Sequence, residues 1–278
     1  MAEVYVDSWF DYEENGVTKI GLASGITGVT SENTDIYITD DIDLKSETEH
    51  GKVTTSVTKP SNSYIATVHG NGCKISNLWC DTNIRVIDGQ NTNRLIFDDV
   101  IFEDWLIENG CAFSALTINN SEISMTLVDR PFVYVSSVKI NNSGITVTGA
   151  GTGLASFDFG NNDYKADGCN IQLFGKFQEV TVCLRNSYLG GEFQQIGTSS
   201  SQGFGFASSF CSMIDADIIC DKAPVNPNSL TLLVVNSDKF VLPSGSSWAD
   251  STRNKYTVVP DSDINNPSVL KSFGFPAR

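Results

Sequence analysis

The chain has 278 residues, 40% apolar and 10% aromatic, which is enough for a sizeable core and excludes a disordered composition. Its 33 Asp and Glu outnumber 18 Lys and Arg, and the net charge of -15 repels phosphate backbones and anionic membranes, so neither nucleic acid nor membrane is expected as a partner. Seven cysteines without a Cys-x-x-Cys pair, beside only two histidines, exclude a zinc framework and read as free thiols in a reduced compartment; no metal and no cofactor is expected.

Met1 to Phe10 holds acidic residues and no long apolar run, so it reads as neither a signal peptide nor a membrane span. Residues 1–62 are expected to form an N-terminal cap and the first strands. Ile36-Tyr37-Ile38 and Ile42-Asp43-Leu44 flank the bend Thr39-Asp40-Asp41, and Trp9, Phe10 and Tyr12 are expected to plug the end. Residues 63–221 change character: apolar positions recur at strand-like intervals. Leu116-Thr117-Ile118-Asn119-Asn120-Ser121-Glu122-Ile123 is followed by Val138-Lys139-Ile140-Asn141-Asn142-Ser143-Gly144-Ile145, and later by Val182-Cys183-Leu184-Arg185-Asn186-Ser187-Tyr188-Leu189. The shared octet puts a turn residue at Gly72, Asp99, Asn120, Asn142, Gly168, Asn186 and Cys211, at steps of 27, 21, 22, 26, 18 and 25 residues. Residues 222–278 lose the octet and gain six prolines. They read as a C-terminal cap with one apolar strand, Leu230 to Val235, and an extended tail.

A period averaging about 23 residues marks a solenoid. One coil cannot bury its inward side chains alone, whereas stacked coils pair their strands in parallel about 4.8 Å apart and align like residues in files. Asn tolerates the left-handed φ of a tight bend. The reading is therefore all-β: a right-handed parallel β-helix with N- and C-terminal caps, in which Ile118 and Ile140 share one interior file. The competing reading is an antiparallel sandwich, for which Asn15-Gly16 and Asn109-Gly110 are hairpin signals.

Ile36-Tyr37-Ile38-Thr39-Asp40-Asp41-Ile42-Asp43-Leu44, followed by Val68-His69-Gly70-Asn71-Gly72-Cys73-Lys74-Ile75, resembles the opening coils of pectate-lyase-like β-helix proteins, with His69 where Asp is commoner. The resemblance covers residues 30–220 and marks a fold rather than an activity. Signal-less members of that family are frequent among bacteriophage fibre and appendage proteins. The resemblance thus implies a non-catalytic virion structural protein (fibre, appendage, baseplate or capsid decoration), assembled in the host cytoplasm. Other virion proteins are its expected partners, host-surface glycan is a further one, and a homotrimer is the expected oligomer.

The alternative that the resemblance carries is a polysaccharide depolymerase. Glycoside hydrolysis needs two carboxylates across a groove, and Asp98, Asp99 and Glu103 are the candidates. Adjacent strand residues face opposite ways, and Asp99 occupies the bend position of Asn120 and Asn142. Glu103 and Asp104 precede Trp105, a sugar platform if exposed and a core residue otherwise. Asp215 and Asp217 share a strand face, which suits a cation only if further oxygen ligands join them. The paired Asp motifs, Gly-His-Gly and Arg-x-Lys of the β-helix polygalacturonases are missing. Arg185 has no carboxylate in its own octet, and one stacked a coil away is invisible from sequence. Gly149-Ala150-Gly151-Thr152-Gly153 lacks the Lys-Ser/Thr of a phosphate loop. Phe204, Phe206 and Phe210 are expected in the core, with a partner patch as the alternative. Leu270, Phe273 and Phe275 are expected to dock on a neighbouring subunit.

Overall fold

The computed structural model describes residues 1–90, 93–129, 138–150, 155–158, 165–196, 204–206, 210–220, 231–245 and 256–272. Among these, strands dominate, with a few short helices. Among the described residues, parallel pairing joins all the strand pairs but one, Tyr12–Glu14 with Val17–Lys19, which closes on Asn15-Gly16 with both turn residues at positive φ. The sandwich reading is thereby removed: Asn-Gly does make a hairpin, but a local one. Asn109-Gly110 instead leads into the parallel strand Gly110–Ser114.

One sheet of 21 strands contains two files of rungs, and two three-stranded sheets form a third side. The first file starts at Ala2–Val6 and passes through Thr34–Ile38, Ala66–His69, Leu95–Asp98, Thr117–Asn119, Lys139–Asn141, Lys165–Asp167, Leu184–Arg185, Phe210–Ile214 and Thr231–Asn236 to Tyr256–Val259. Its pairing therefore continues across positions 62 and 221, where the expected segments divide.

Register follows the octets. Ile96 pairs with Thr117, Thr117 with Lys139, Lys139 with Lys165, Ala166 with Leu184 and Arg185 with Phe210. These are the steps of 21, 22, 26, 18 and 25 residues read from the turn positions. Asp99, Asn120, Asn142, Gly168 and Asn186 all sit at positive φ, between 48° and 68°. Gly72, also left-handed, needs a correction. Counting forward from His69, which pairs with Asp98, the residue level with Asp99 is Gly70. Counting back from Lys74, which pairs with Ile101, it is Gly72. That bend is two residues longer than those above it. Cys211 lies within the continuous strand Phe210–Ile214 rather than at a bend.

Behind the bends at Asn120, Asn142 and Asn186, and at Ser212 one coil further on, a small side chain turns inward and ties two coils together. The hydroxyl of Ser121 accepts from the Val100 N–H (3.1 Å), Ser143 from Ser121 N–H (3.1 Å), Ser187 from Cys169 N–H (3.0 Å) and Ser212 from Ser187 N–H (3.2 Å). Ser121, Ser143 and Ser187 also donate to the carbonyl two residues back. The N–H groups of Val100, Ser121, Cys169 and Ser187, opened by the bend, are thus each satisfied by a buried serine from the next coil. Cys169 occupies the same file, with its thiol donating to the Ile140 carbonyl at 3.2 Å. Burial pushes that thiol up to about 11. Cys80, Cys111, Cys169, Cys183 and Cys220 are buried, consistent with small apolar packing. On the outside, the Asn141 amide donates to Asn119 at 2.8 Å, a one-step Asn ladder displaced by one residue from the bend itself.

Ile118 and Ile140 are register partners, both fully buried. Each Ile→Ala change is expected to lower unfolding free energy by about 2–5 kcal/mol. Because the two side chains fill one file, the double variant is expected to depart from additivity by about 0.5–3 kcal/mol in urea unfolding. Strict additivity would place them in separate surroundings.

The C-terminal segment departs from an extended tail. Asp261–Ile264 and Pro267–Ser272 are short helices, the second opened by Pro267 with Asn266 accepting from the Ser268 N–H. They cover the outward face of the last rungs: Ile264 packs with Met213, Val234 and Val259, flanked by Val269 and Leu270. This explains the uninterrupted apolar run Leu232 to Val235, since Val234 and Val235 are both fully buried although they face opposite ways. At the other end Trp9 is buried, whereas Phe10 and Tyr12 are exposed. Trp9 and Phe10 are held by N–H bonds to the Glu47 carboxylate.

Candidate functional site

The outward side of the second file carries an open groove of about 570 Å³, within the usual size of ligand sites. Four successive rungs build it: Asn170–Phe177, Tyr188–Gln195, Asp217–Cys220 and Phe240–Val241. Glycines in the first two rungs shape it. Gly175 at φ 88° interrupts alternation, so that Phe174, Gly175 and Lys176 are all exposed between buried Leu173 and Phe177. Gly191 at φ 100° lies against its register partner Leu173, where a Cβ would overlap the carbonyl oxygen.

Register then sets the floor. Phe174 pairs with Glu192, and Glu192 with Asp217. In the next outward column Lys176 pairs with Gln194, Gln194 with Ile219, and Ile219 with Val241. Phe174, Ile219 and Val241 are 40%, 52% and 55% exposed, so this face holds three of the large apolar side chains left open on the chain. Lys239 closes one side. Its ammonium meets Asp215 at 3.1 Å and Asp261 at 3.9 Å. The hydrogen bond to Asp215 holds the lysine pKa above its ordinary value, so it stays charged through the neutral range. The groove thus offers ring and aliphatic surface beside carboxylate acceptors and ammonium donors, carried by the rungs and by the turn that holds Asp238 and Lys239.

The residues singled out from sequence lie elsewhere. Asp98 ends strand Leu95–Asp98, where its carboxylate accepts from the Asn120 amide at 2.8 Å. Asp99 is the exposed left-handed bend residue, φ 57°. Glu103 belongs to the second file and forms an ion pair with Lys74 at 2.9 Å. Glu103 and Asp104 together make a bulge: Phe102 pairs with Ile123 and Trp105 with Met125, so two residues oppose Ser124 alone. The bulge turns Trp105 inward. It is 1% exposed and donates to the Ile75 carbonyl at 2.8 Å, so the indole is core and offers no sugar platform.

Asp215 does hold a cation, but it is Lys239, with the Asn236 amide donating at 2.7 Å. Among the described residues no group of three or more His, Cys, Asp or Glu is placed to hold a metal ion. Arg185 does have a carboxylate one coil away: Asp167, its register partner, at 3.5 Å. Leu270 is half-buried on its own chain's last rungs, while Phe273 and Phe275 lie outside the described residues. The strand Phe204–Phe206 continues the third side, paired with Val180 to Val182. Gly151, Thr152 and Gly153 lie outside the described residues.

Sequence reasoning missed the groove because its residues are 18 to 25 positions apart on successive coils. The available signal was the pair Gly175 and Gly191, glycines on successive coils two register positions apart, each of which interrupts the alternation of its own strand. Among the described residues, no helix is long and apolar enough to cross a membrane. No protein-family model matches the chain, and neither the curated proteins nor the solved structures contain a match to it.

Proposed function

We propose that this chain is a right-handed parallel β-helix, its core covered by a helical segment at each end, that serves as a non-catalytic structural protein of a bacteriophage virion and holds host-surface glycan in the groove at Phe174. The right hand follows from the strong preference of parallel crossover connections. The virion assignment rests on the resemblance of the opening coils. The observation that carries the glycan reading is the pairing of an open aromatic and aliphatic strip with charged hydrogen-bonding groups. A sugar ring needs both, an apolar surface for its C–H face and acceptors and donors for its hydroxyls.

The test uses immobilised bacterial capsular and O-antigen polysaccharides. Binding by at least one is expected, weakened tenfold or more by Phe174→Ala, with no new reducing ends on prolonged incubation. Binding that Phe174→Ala and Ile219→Ala leave unchanged removes the groove. Negative-stain images showing rods, at a solution mass three times 30.2 kDa, are expected for the trimer.

One observation favours a second reading. Glu192 and Asp217 are register partners on neighbouring rungs, and rungs lie about 4.8 Å apart, near the carboxylate spacing of retaining glycosidases. A depolymerase would release reducing ends in the same assay, and Glu192→Gln or Asp217→Asn would abolish the release.

A further inference from the structure

We infer that the outer edge of strand Ala2–Val6 is an acceptor for a β-strand of a basic partner protein. The inference stands apart from the glycan groove, which lies on later rungs. In a parallel ladder, alternate residues serve opposite neighbours. The Ala2 N–H donates to the Asn33 carbonyl (3.1 Å), and the Val6 carbonyl accepts from the Thr39 N–H (2.8 Å). Even-numbered residues therefore serve strand Thr34–Ile38, and the backbone groups of Glu3 and Tyr5 face the other way. Among the described residues Ala2–Val6 pairs with Thr34–Ile38 alone. Helix Leu22–Thr27 packs on the inward side of these rungs, with Gly25 against Val4 and Ile36, and among the described residues no hydrogen bond reaches the outward backbone groups of Glu3 and Tyr5. An uncovered edge is a template for strand addition.

Two features choose the occupant. The first is charge. Residues 1–50 hold 12 of the 33 acidic residues and two of the 18 Lys and Arg, so this end carries ten of the fifteen net negative charges. Glu3, Asp7, Asp11, Glu13, Glu14, Asp40 and Asp41 are exposed. A second copy meeting this edge head-on would bring like charges together, whereas a strand bearing Lys and Arg is attracted. The second is an aromatic ladder on the outward face. Tyr5 stacks on Tyr37 (5.3 Å between ring centres, 21° between planes), and Tyr37 on His69 (4.8 Å, 17°). Tyr5 is the end member and 61% exposed. A guanidinium from an added strand, one rung further out, would continue the stack over Tyr5 with the Glu3 carboxylate beside it.

The probe is a fluorescein-labelled peptide, Lys-Val-Arg-Val-Lys-Val-Lys, with the same peptide carrying Glu at every basic position as its counterpart. Fluorescence anisotropy is expected to show the basic peptide binding at least tenfold tighter, with affinity falling as salt rises. Tyr5→Pro removes an outward-facing N–H together with the ring that ends the stack, a substitution an edge strand tolerates, and is expected to weaken binding tenfold or more. Glu3→Lys/Asp7→Lys leaves the backbone intact and is expected to do the same, so the test survives a failure of the proline variant to fold. Equal binding of the two peptides, or binding indifferent to these changes, overturns the inference. A dimer in sedimentation that Tyr5→Pro dissociates would place a second copy on the edge and overturn it equally.

Discussion

Replacing Trp105 by alanine is expected to lower unfolding free energy by about 3–5 kcal/mol, and Trp105→Phe by about 1 kcal/mol for the lost N–H bond plus a packing term. The reason lies within one coil. Phe97, Phe102, Trp105 and Phe113 are all fully buried and meet ring to ring: Phe102 and Trp105 at 5.1 Å, Phe102 and Phe113 at 5.1 Å, Trp105 and Phe113 at 5.3 Å, Phe97 and Phe102 at 5.5 Å. Removing the indole leaves a void bounded by rings already fixed by their own strands, which restricts collapse into the space. It also takes a partner from the Ile75 carbonyl on the coil before, so two coils loosen together. Urea unfolding followed by circular dichroism measures the effect. A change below about 1 kcal/mol would mean that the coil does not pack around this ring.

Gly191→Ala is expected to be similarly damaging for a different reason. Its φ of 100° strains any residue with a Cβ, at about 1–3 kcal/mol. The new methyl would also overlap the Leu173 carbonyl, and forcing the rungs apart costs about 1–3 kcal/mol more. Gly72→Ala separates the two contributions. Gly72 also has positive φ, 77°, but a Cβ there meets nothing within 4 Å, so only the conformational cost applies. Thermal unfolding of the two variants is expected to rank Gly191→Ala well below Gly72→Ala. Glycan binding should fall in the Gly191 variant too, because Glu192 follows directly on the displaced backbone. Equal midpoints would mean that the rungs at Leu173 and Gly191 are not in close contact.

Much of the coil architecture was legible because each octet encodes its own local geometry. An apolar residue two before an Asn, as in Ile118 and Asn120, places one side chain inward and a left-handed bend directly after the strand. Repetition of the pattern is what registers one rung on the next. Legibility failed where a single coil departs from the pattern for reasons outside itself. Bend 70–73 is longer by two residues, so the Gly72 equivalence holds from one strand and not from the other. The strand Thr231–Asn236 carries no octet because helices from further along the chain cover its outer face. Trp105 was ambiguous since only the bulge at Glu103 and Asp104 decides which way the indole points.

The candidate site was far less legible than the coils. Asp98, Asp99 and Glu103 are close in sequence, and closeness in sequence is what a linear reading detects. In a stack, neighbours on the outer face lie one coil apart, so Glu192 is level with Asp217, Arg185 meets Asp167, and Asp215 meets Lys239 across turns of differing length.

By itself the sequence determined the strand content, the parallel stacking, the left-handed bends and the interior file of Ile118 and Ile140. Each follows from residue chemistry within a few positions: alternation sets faces, and Asn or Gly permits the bend. Only the tertiary structure decided which outward side chains share a column, where the sheet face stays open and which strand edge is left unpaired. Those depend on register summed over coils of 18 to 32 residues, and a shift of one residue turns every side chain to the other face.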